Sequence, residues 1–89
     1  MIKQDIKISN RLGLHARPAA MIAQKAGEFS CEVKLKKDDV EVNAKSIMGV
    51  MMLAAEYGSS VCVTTDGEDE RQAANAIAEL FNNKFNEEF

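Results

Sequence analysis

His15 is the single histidine of this 89-residue chain, and it stands in the string LGLHARPAA between Arg11 and Arg17. The single proline, Pro18, follows three residues later, where an alanine-rich helical pattern begins. An imidazole between two guanidinium groups at a helix start is suited to chemistry on an anion. Helix starts leave backbone N–H groups without partners and carry partial positive charge. A Ser, Thr, Asp or Asn cap would consume one of those donors. Imidazole is a poor cap, so the donors stay open to an anion. A phosphorylated ring nitrogen of His15 would meet them directly, and Arg17 would add a planar fork for phosphate oxygens. Pro18 falls in the first turn, where its missing N–H costs little, and Gly13 lets the preceding loop bend sharply. On residue types alone, a surface histidine at a helix start stays open as the alternative.

Other chemistries of this histidine fit less well. A zinc site needs three or four ligands, and one histidine with Cys31 and Cys62 does not supply them. A Cys–His nucleophile pair would set a strand cysteine beside a loop histidine. No P-loop, GxGxxG or HExxH string occurs. The two cysteines are too few and too distant for a disulfide framework and read as small buried hydrophobes of a reducing cytoplasm.

The elements that must position His15 follow from periodicity. Ile2, Ile6 and Ile8 share one parity, so residues 2 to 8 form a strand. Ala19, Ile22, Ala23 and Ala26 line one helix face, and Gly27 stops it. Residues 31 to 44 read as a hairpin, with Cys31, Val33 and Leu35 alternating before KKDD and Val40, Val42 and Ala44 after it. Ser46 caps a helix of two to three turns that ends at Gly58. Val50 and Leu53 face the core there, with Ala54 beside them, and Ile47, Met48 and Met51 point outward. Val61 and Val63 mark a fourth strand. Asp69 and Gln72 have the spacing of a capping box ahead of a last helix that buries Ala73, Ile77, Leu80 and Phe81. The order β-α-β-β-α-β-α predicts a single α+β domain over residues 1–89, one sheet with three helices on one face and water on the other.

Composition limits the functions. Apolar residues make up 46% and charged residues 28%, an ordinary globular profile. No apolar run is long enough for membrane insertion, and MIKQDIKIS has no signal core, so a cytoplasmic protein is expected. A net charge of −3 argues against nucleic acid as partner. From Ile6 to Gly27 there is no carboxylate, while from Asp66 onward acidic residues outnumber basic ones by seven to two, so His15 sits in the positive part of the chain. Around Ser46, only Lys45 is charged between Val42 and Ala55. The outward Ile47, Met48 and Met51 then suggest a docking surface, for which adaptable methionines are suited. Partly buried core methionines are the alternative.

With LGLHARPA and KSIMGVMML both in place, the chain resembles the HPr family, the histidine-containing phosphocarriers of the bacterial phosphotransferase system. Length, element order and a GEDE turn before the last helix also match. The resemblance implies an open-faced sandwich on a four-stranded antiparallel sheet. It implies that His15 takes a phosphoryl group on Nδ1 from enzyme I and passes it to IIA- or IIB-type proteins. Arg17 would stabilise the group in flight, and the N–H groups of Ala16 and Arg17 would add donors. Such a carrier acts stoichiometrically, as a monomer, and needs no metal or organic cofactor. The second string implies phosphorylation of Ser46 by HPr kinase/phosphorylase.

The ending ELFNNKFNEEF is similar to the tail of NPr, the nitrogen-related paralogue with a regulatory output. A different class is also open, a phosphate-independent interaction module using the surface of residues 47 to 51. An RNA-binding sheet would need exposed aromatics on its central strands, and the five aromatics here fall in helices or at element ends.

Overall fold

A computed structural model describes residues 1–87. Four strands are built where alternation demands them: β1 (Ile2–Lys7), β2 (Glu32–Lys37), β3 (Val40–Asn43) and β4 (Ser60–Asp66). They form one antiparallel sheet in the order β1-β4-β2-β3. Three α-helices, α1 (Ala16–Ala26), α2 (Ile47–Met52) and α3 (Glu70–Asn82), are followed by a short 3-10 turn, Lys84–Asn86.

Register explains which face is covered. Ile6 opposes Val61, Leu35 opposes Val63 on one side and Val42 on the other, and Val33 opposes Thr65. Directly opposed residues share a face, so these side chains line the inner surface against Ile22, Ile77 and Phe81 of the helices. Two polar residues on that face are satisfied by α3. Gln4 Nε2 donates to the Ala74 carbonyl at 2.9 Å, and the buried Thr65 hydroxyl donates to that of Glu70 at 3.0 Å. The outer face carries Lys34, Lys36 and Glu32, all exposed. Among the described residues, no helix is long and apolar enough to cross a membrane.

Two elements depart from expectation. The second helix stops at Met52 and does not reach Gly58. Leu53 and Ala54 donate back three residues, to Val50 and Met51, which tightens the last turn. Ala54 then takes a left-handed φ of 50° and is exposed, while Ala55 is buried in the place expected of it. The turn brings the Ala55 carbonyl to the N–H of Leu14, at 3.0 Å. A distant partner therefore sets where the helix ends.

The second departure is Asp69. It occupies the N-cap position of α3 but makes no side-chain cap bond, and Gln72 is exposed. Its carboxylate reaches across the fold instead, accepting from the backbone N–H of Ser30 and of Cys31, both at 2.9 Å. Those two donors, at the entry to β2, lack a ladder partner, and the carboxylate satisfies both. The Ser30 N–H is the main cause of a carboxyl held below its usual range; partial burial opposes it and Cys31 reinforces it. A depressed folded value means stability that is present above the unfolded value, about 4. That stability is lost as pH falls through the lower folded one. An Asp69→Ala variant is expected to have a lower urea midpoint than wild type at pH 7. The gap should close as pH is taken below about 4; a gap independent of pH would show that the charge does not act as a latch.

Candidate functional site

The loop that delivers His15 is tied at several points. Gly13 N–H donates to the Asn10 carbonyl at 3.1 Å, and the Asn10 amide donates back to the Gly13 carbonyl at 2.8 Å. Leu14 is buried and bonded to Ala55. His15 follows as the N-cap of α1, with extended backbone and no side-chain cap bond. Its carbonyl accepts from Ala19 N–H at 3.0 Å. Pro18 has no N–H, so the start of the helix leaves the N–H groups of His15, Ala16 and Arg17 lacking an intrahelical acceptor. Pro18 is itself buried, which fixes the first turn against the core. No acidic residue lies in that turn, so the positive end of the helix is uncompensated by its own side chains.

The ring of His15 is about one-third exposed, 36%. Its Nε2 lies 2.7 Å from Oε2 of Glu87, leaving Nδ1 as the nitrogen outside this contact. Arg17 is more exposed. Its Nη1 donates to the Phe85 carbonyl at 2.9 Å and sits 3.6 Å from the same Glu87 oxygen. Thus the structure brings His15 and Arg17 together through the end of the chain. Glu87 and Asn10 are members of this cluster that sequence reading missed. Asn10 is fully buried and donates its second amide hydrogen to Glu87 Oε1 at 2.9 Å. Its own Oδ1 has no partner among the described residues. Burial of Glu87 pushes its carboxyl up, but hydrogen bonds from Asn10 and His15, with the charge of Arg17, outweigh that and hold it below the usual range. Among the described residues no three His, Cys, Asp or Glu side chains converge as metal ligands.

Ser46 is the N-cap of α2, and its hydroxyl accepts from Gly49 N–H at 3.0 Å. It is exposed, as are Ile47, Met48 and Met51, the last three at 47%, 72% and 42%. Val50 between them is fully buried. Met52, Leu12 and Tyr57 are further exposed large apolar residues that the sequence reading did not single out; nothing in their spacing marks them. Cys31 is buried, Cys62 partly so, and both are free thiols. Burial, then the hydrogen bond to Asp69, push the Cys31 thiol up, which disfavours the reactive thiolate.

The molecule is an open-faced α+β sandwich that sets one histidine and one arginine at the uncapped start of a helix. A family model described as "PTS HPr component phosphorylation site" matches residues 2–83. The chain is 51% identical over 87 residues to the phosphocarrier protein HPr of Cupriavidus necator, spanning 98% of each chain. It is 49% identical over 88 residues to the phosphocarrier protein HPr of Treponema pallidum, spanning 99% of this chain and all of that one. The crystal structure of HPr-C-His from Thermoanaerobacter tengcongensis superposes with a TM-score of 0.96, at 45% identity and full coverage of both chains. The chain belongs to the HPr family of phosphocarriers.

Proposed function

We propose that this chain, as a single cytoplasmic domain, accepts one phosphoryl group on His15 from phosphorylated enzyme I and delivers it to IIA- or IIB-type proteins. The observation that carries this reading is the His15 ring at an uncapped helix start, with Nε2 engaged by Glu87. Nδ1 then attacks phosphorus. The new N–P bond forms as the donor's bond to phosphorus breaks, and the bonding pair leaves with the donor. The N–H groups of Ala16 and Arg17 receive phosphoryl oxygens, and Arg17 swings from the Phe85 carbonyl to neutralise charge. Handing the group on reverses these steps, so the protein is a stoichiometric intermediate. It acts as a monomer, with Ile47, Met48 and Met51 meeting its partners.

The test is intact mass after incubation with enzyme I, Mg²⁺ and phosphoenolpyruvate. One added phosphoryl group, removed by acid, spared by base and mapped to the peptide holding His15, is expected. No added mass overturns the carrier reading.

Ser46 regulates transfer in this reading, through phosphorylation by HPr kinase/phosphorylase. A phosphate there adds roughly −1.5 to −2 charges at a helix start, which suits the helix but not an acidic, apolar partner surface. Asp is as good a cap as Ser, so Ser46→Asp separates the two effects. It should fold as stably as wild type yet accept phosphate from enzyme I at least about tenfold more slowly, from like-charge repulsion at the docking surface. Equal rates would remove Ser46 from the regulation of this step.

A further inference from the structure

We propose that Met48, Met51 and Met52 form an oxidation site, where a hydroperoxide converts exposed thioethers to sulfoxides and thereby weakens docking of phosphorylated enzyme I. The inference rests on the reading of this helix as the partner-docking surface. Three of the chain's five methionines fall within five residues of sequence, all in the six-residue helix α2. They stand at i, i+3 and i+4, spacings that share one helix face. That face meets water. Met48 and Met52 are each 72% exposed, more than any other large apolar side chain among the described residues, and Met51 is exposed beside them. Val50, between them in sequence, is fully buried and anchors the helix from its other side. A methionine stripe that served the core would be covered as Val50 is, so packing does not account for these three side chains.

The oxidant is hydrogen peroxide or another hydroperoxide. A sulfur lone pair attacks one peroxide oxygen, the S–O bond forms and the O–O bond breaks. The other oxygen leaves as hydroxide, and the proton remaining on the sulfoxide oxygen joins it to make water. Sulfur is oxidised by two electrons and the peroxide is reduced by two. The product replaces a flexible apolar side chain with a polar one. In the free protein this costs little, because each new oxygen meets water. Against an apolar partner surface the oxygen must give up that water. The helix has little to offer in exchange. Between Val42 and Ala55 only Lys45 is charged, and its Nζ already donates to the Phe29 carbonyl at 2.8 Å. A desolvated acceptor without a donor is expensive, and lost apolar contact adds to the cost.

The other sulfur atoms of the chain lie away from this face. Met21 packs against the core. Met1 is exposed, but its ammonium lies against Glu70 and Asp66, and the whole of β1 separates it from the loop that leads to His15. Cys31 is buried. Cys62 is partly buried and stands opposite Asp5 and Lys36, on the outer face of the sheet. Oxidation of Met1 or Cys62 therefore leaves the docking face as it was. Oxidation of the α2 methionines leaves His15 as it was, so its mark is weaker docking and not slower chemistry.

The experiment treats wild type, the triple variant Met48→Leu/Met51→Leu/Met52→Leu and Cys62→Ser with hydrogen peroxide, then removes the peroxide by desalting. Peptide mass maps the added oxygen. Phosphorylation by phosphorylated enzyme I is measured across carrier concentrations, each protein against its own untreated sample. In wild type, Met48 and Met52 should each gain one oxygen before Met21 does. KM should then rise about tenfold while kcat changes by less than about twofold, the mark of lost uniform binding. The urea midpoint should not move, because the oxidised side chains lie on the surface. Leucine keeps the bulk and apolarity of methionine but has no sulfur, so the triple variant, still oxidised at Met1, should show no rise in KM. Cys62→Ser should show the wild-type rise. Methionine sulfoxide reductases, one for each sulfoxide epimer, should restore KM in the oxidised wild type. An unchanged KM with Met48 and Met52 fully oxidised, or an equal rise in the triple variant, overturns the proposal. Met48→Glu tells that failure from a failure of the docking surface itself. It should raise KM without any oxidant, and if it does not, the docking reading falls and the proposal with it. Wild type taking no phosphoryl group would instead remove the acceptor reading, and this inference with it.

Discussion

His15→Ala should take up no phosphoryl group from enzyme I, a loss of at least about a thousandfold, because the reacting nitrogen itself is removed. The fold should be almost untouched. His15 makes no cap bond, its ring is about one-third exposed, and the Ala19 bond goes to its backbone carbonyl. Glu87 loses one partner but keeps Asn10 and Arg17. The urea midpoint should therefore shift by the equivalent of no more than about 0.5 kcal/mol, as at other surface positions. The pairing of a lost activity with a retained fold is what the measurement checks, using intact mass and equilibrium unfolding on the same preparation. A phosphate-independent interaction module makes the opposite prediction: His15→Ala would keep its function, and substitutions at Ile47, Met48 and Met51 would remove it. Residual phosphorylation of His15→Ala at the wild-type rate would place the modified residue elsewhere.

What the sequence made legible was local. Val33 and Leu35, and Val61 and Val63, alternate because one sheet face is buried, so period two appears directly in the string. The helix start at His15 was legible because its cap is wrong in kind, which is a property of neighbouring residues. The end of α2 was not legible. Residues 53 to 57 carry no local stop, and the helix breaks because the Ala55 carbonyl is needed by Leu14, 41 residues earlier. Asp69 was misread for the same reason. Its capping spacing is real, but the N–H groups of Ser30 and Cys31 are stronger claimants on its carboxylate. The site was half legible: His15 and Arg17 stand in one string, while Glu87 reaches them only through a left-handed turn of Lys, Phe and Asn. Asparagine tolerates that conformation but lysine and phenylalanine give no sign of it. A carboxylate in an acidic tail reads as solvated charge until the backbone is known to fold back.

Gly13 is where the loop's geometry and the site's chemistry meet, and Gly13→Ala should cost the fold about 3 kcal/mol. The position has φ of 66°, unfavourable for an L-residue by roughly 1–2 kcal/mol. An added Cβ would lie 2.6 Å from the Ala55 carbonyl oxygen and 2.9 Å from Glu56 Cα, both backbone atoms. Neither can swing aside as a side-chain tip would. The Ala55 oxygen is also the acceptor for Leu14 N–H, so relief of the clash must stretch that bond or push the loop outward. An outward shift carries the Gly13 carbonyl away from the Asn10 amide, and with it the buried amide that holds Glu87. His15 lies two residues further along the chain. Gly13→Ala is therefore expected to lower the urea midpoint and to slow phosphoryl acceptance beyond what its unfolded fraction explains, since a misplacement of about 1 Å can cost a hundredfold in rate. Gly58→Ala is the control, because its φ of 87° is also left-handed but an added Cβ there meets nothing within 4 Å. It should lose only the conformational part of the stability and accept phosphate at the wild-type rate. Equal losses at the two glycines would mean that backbone conformation alone, and not the contact with Ala55, makes Gly13 necessary.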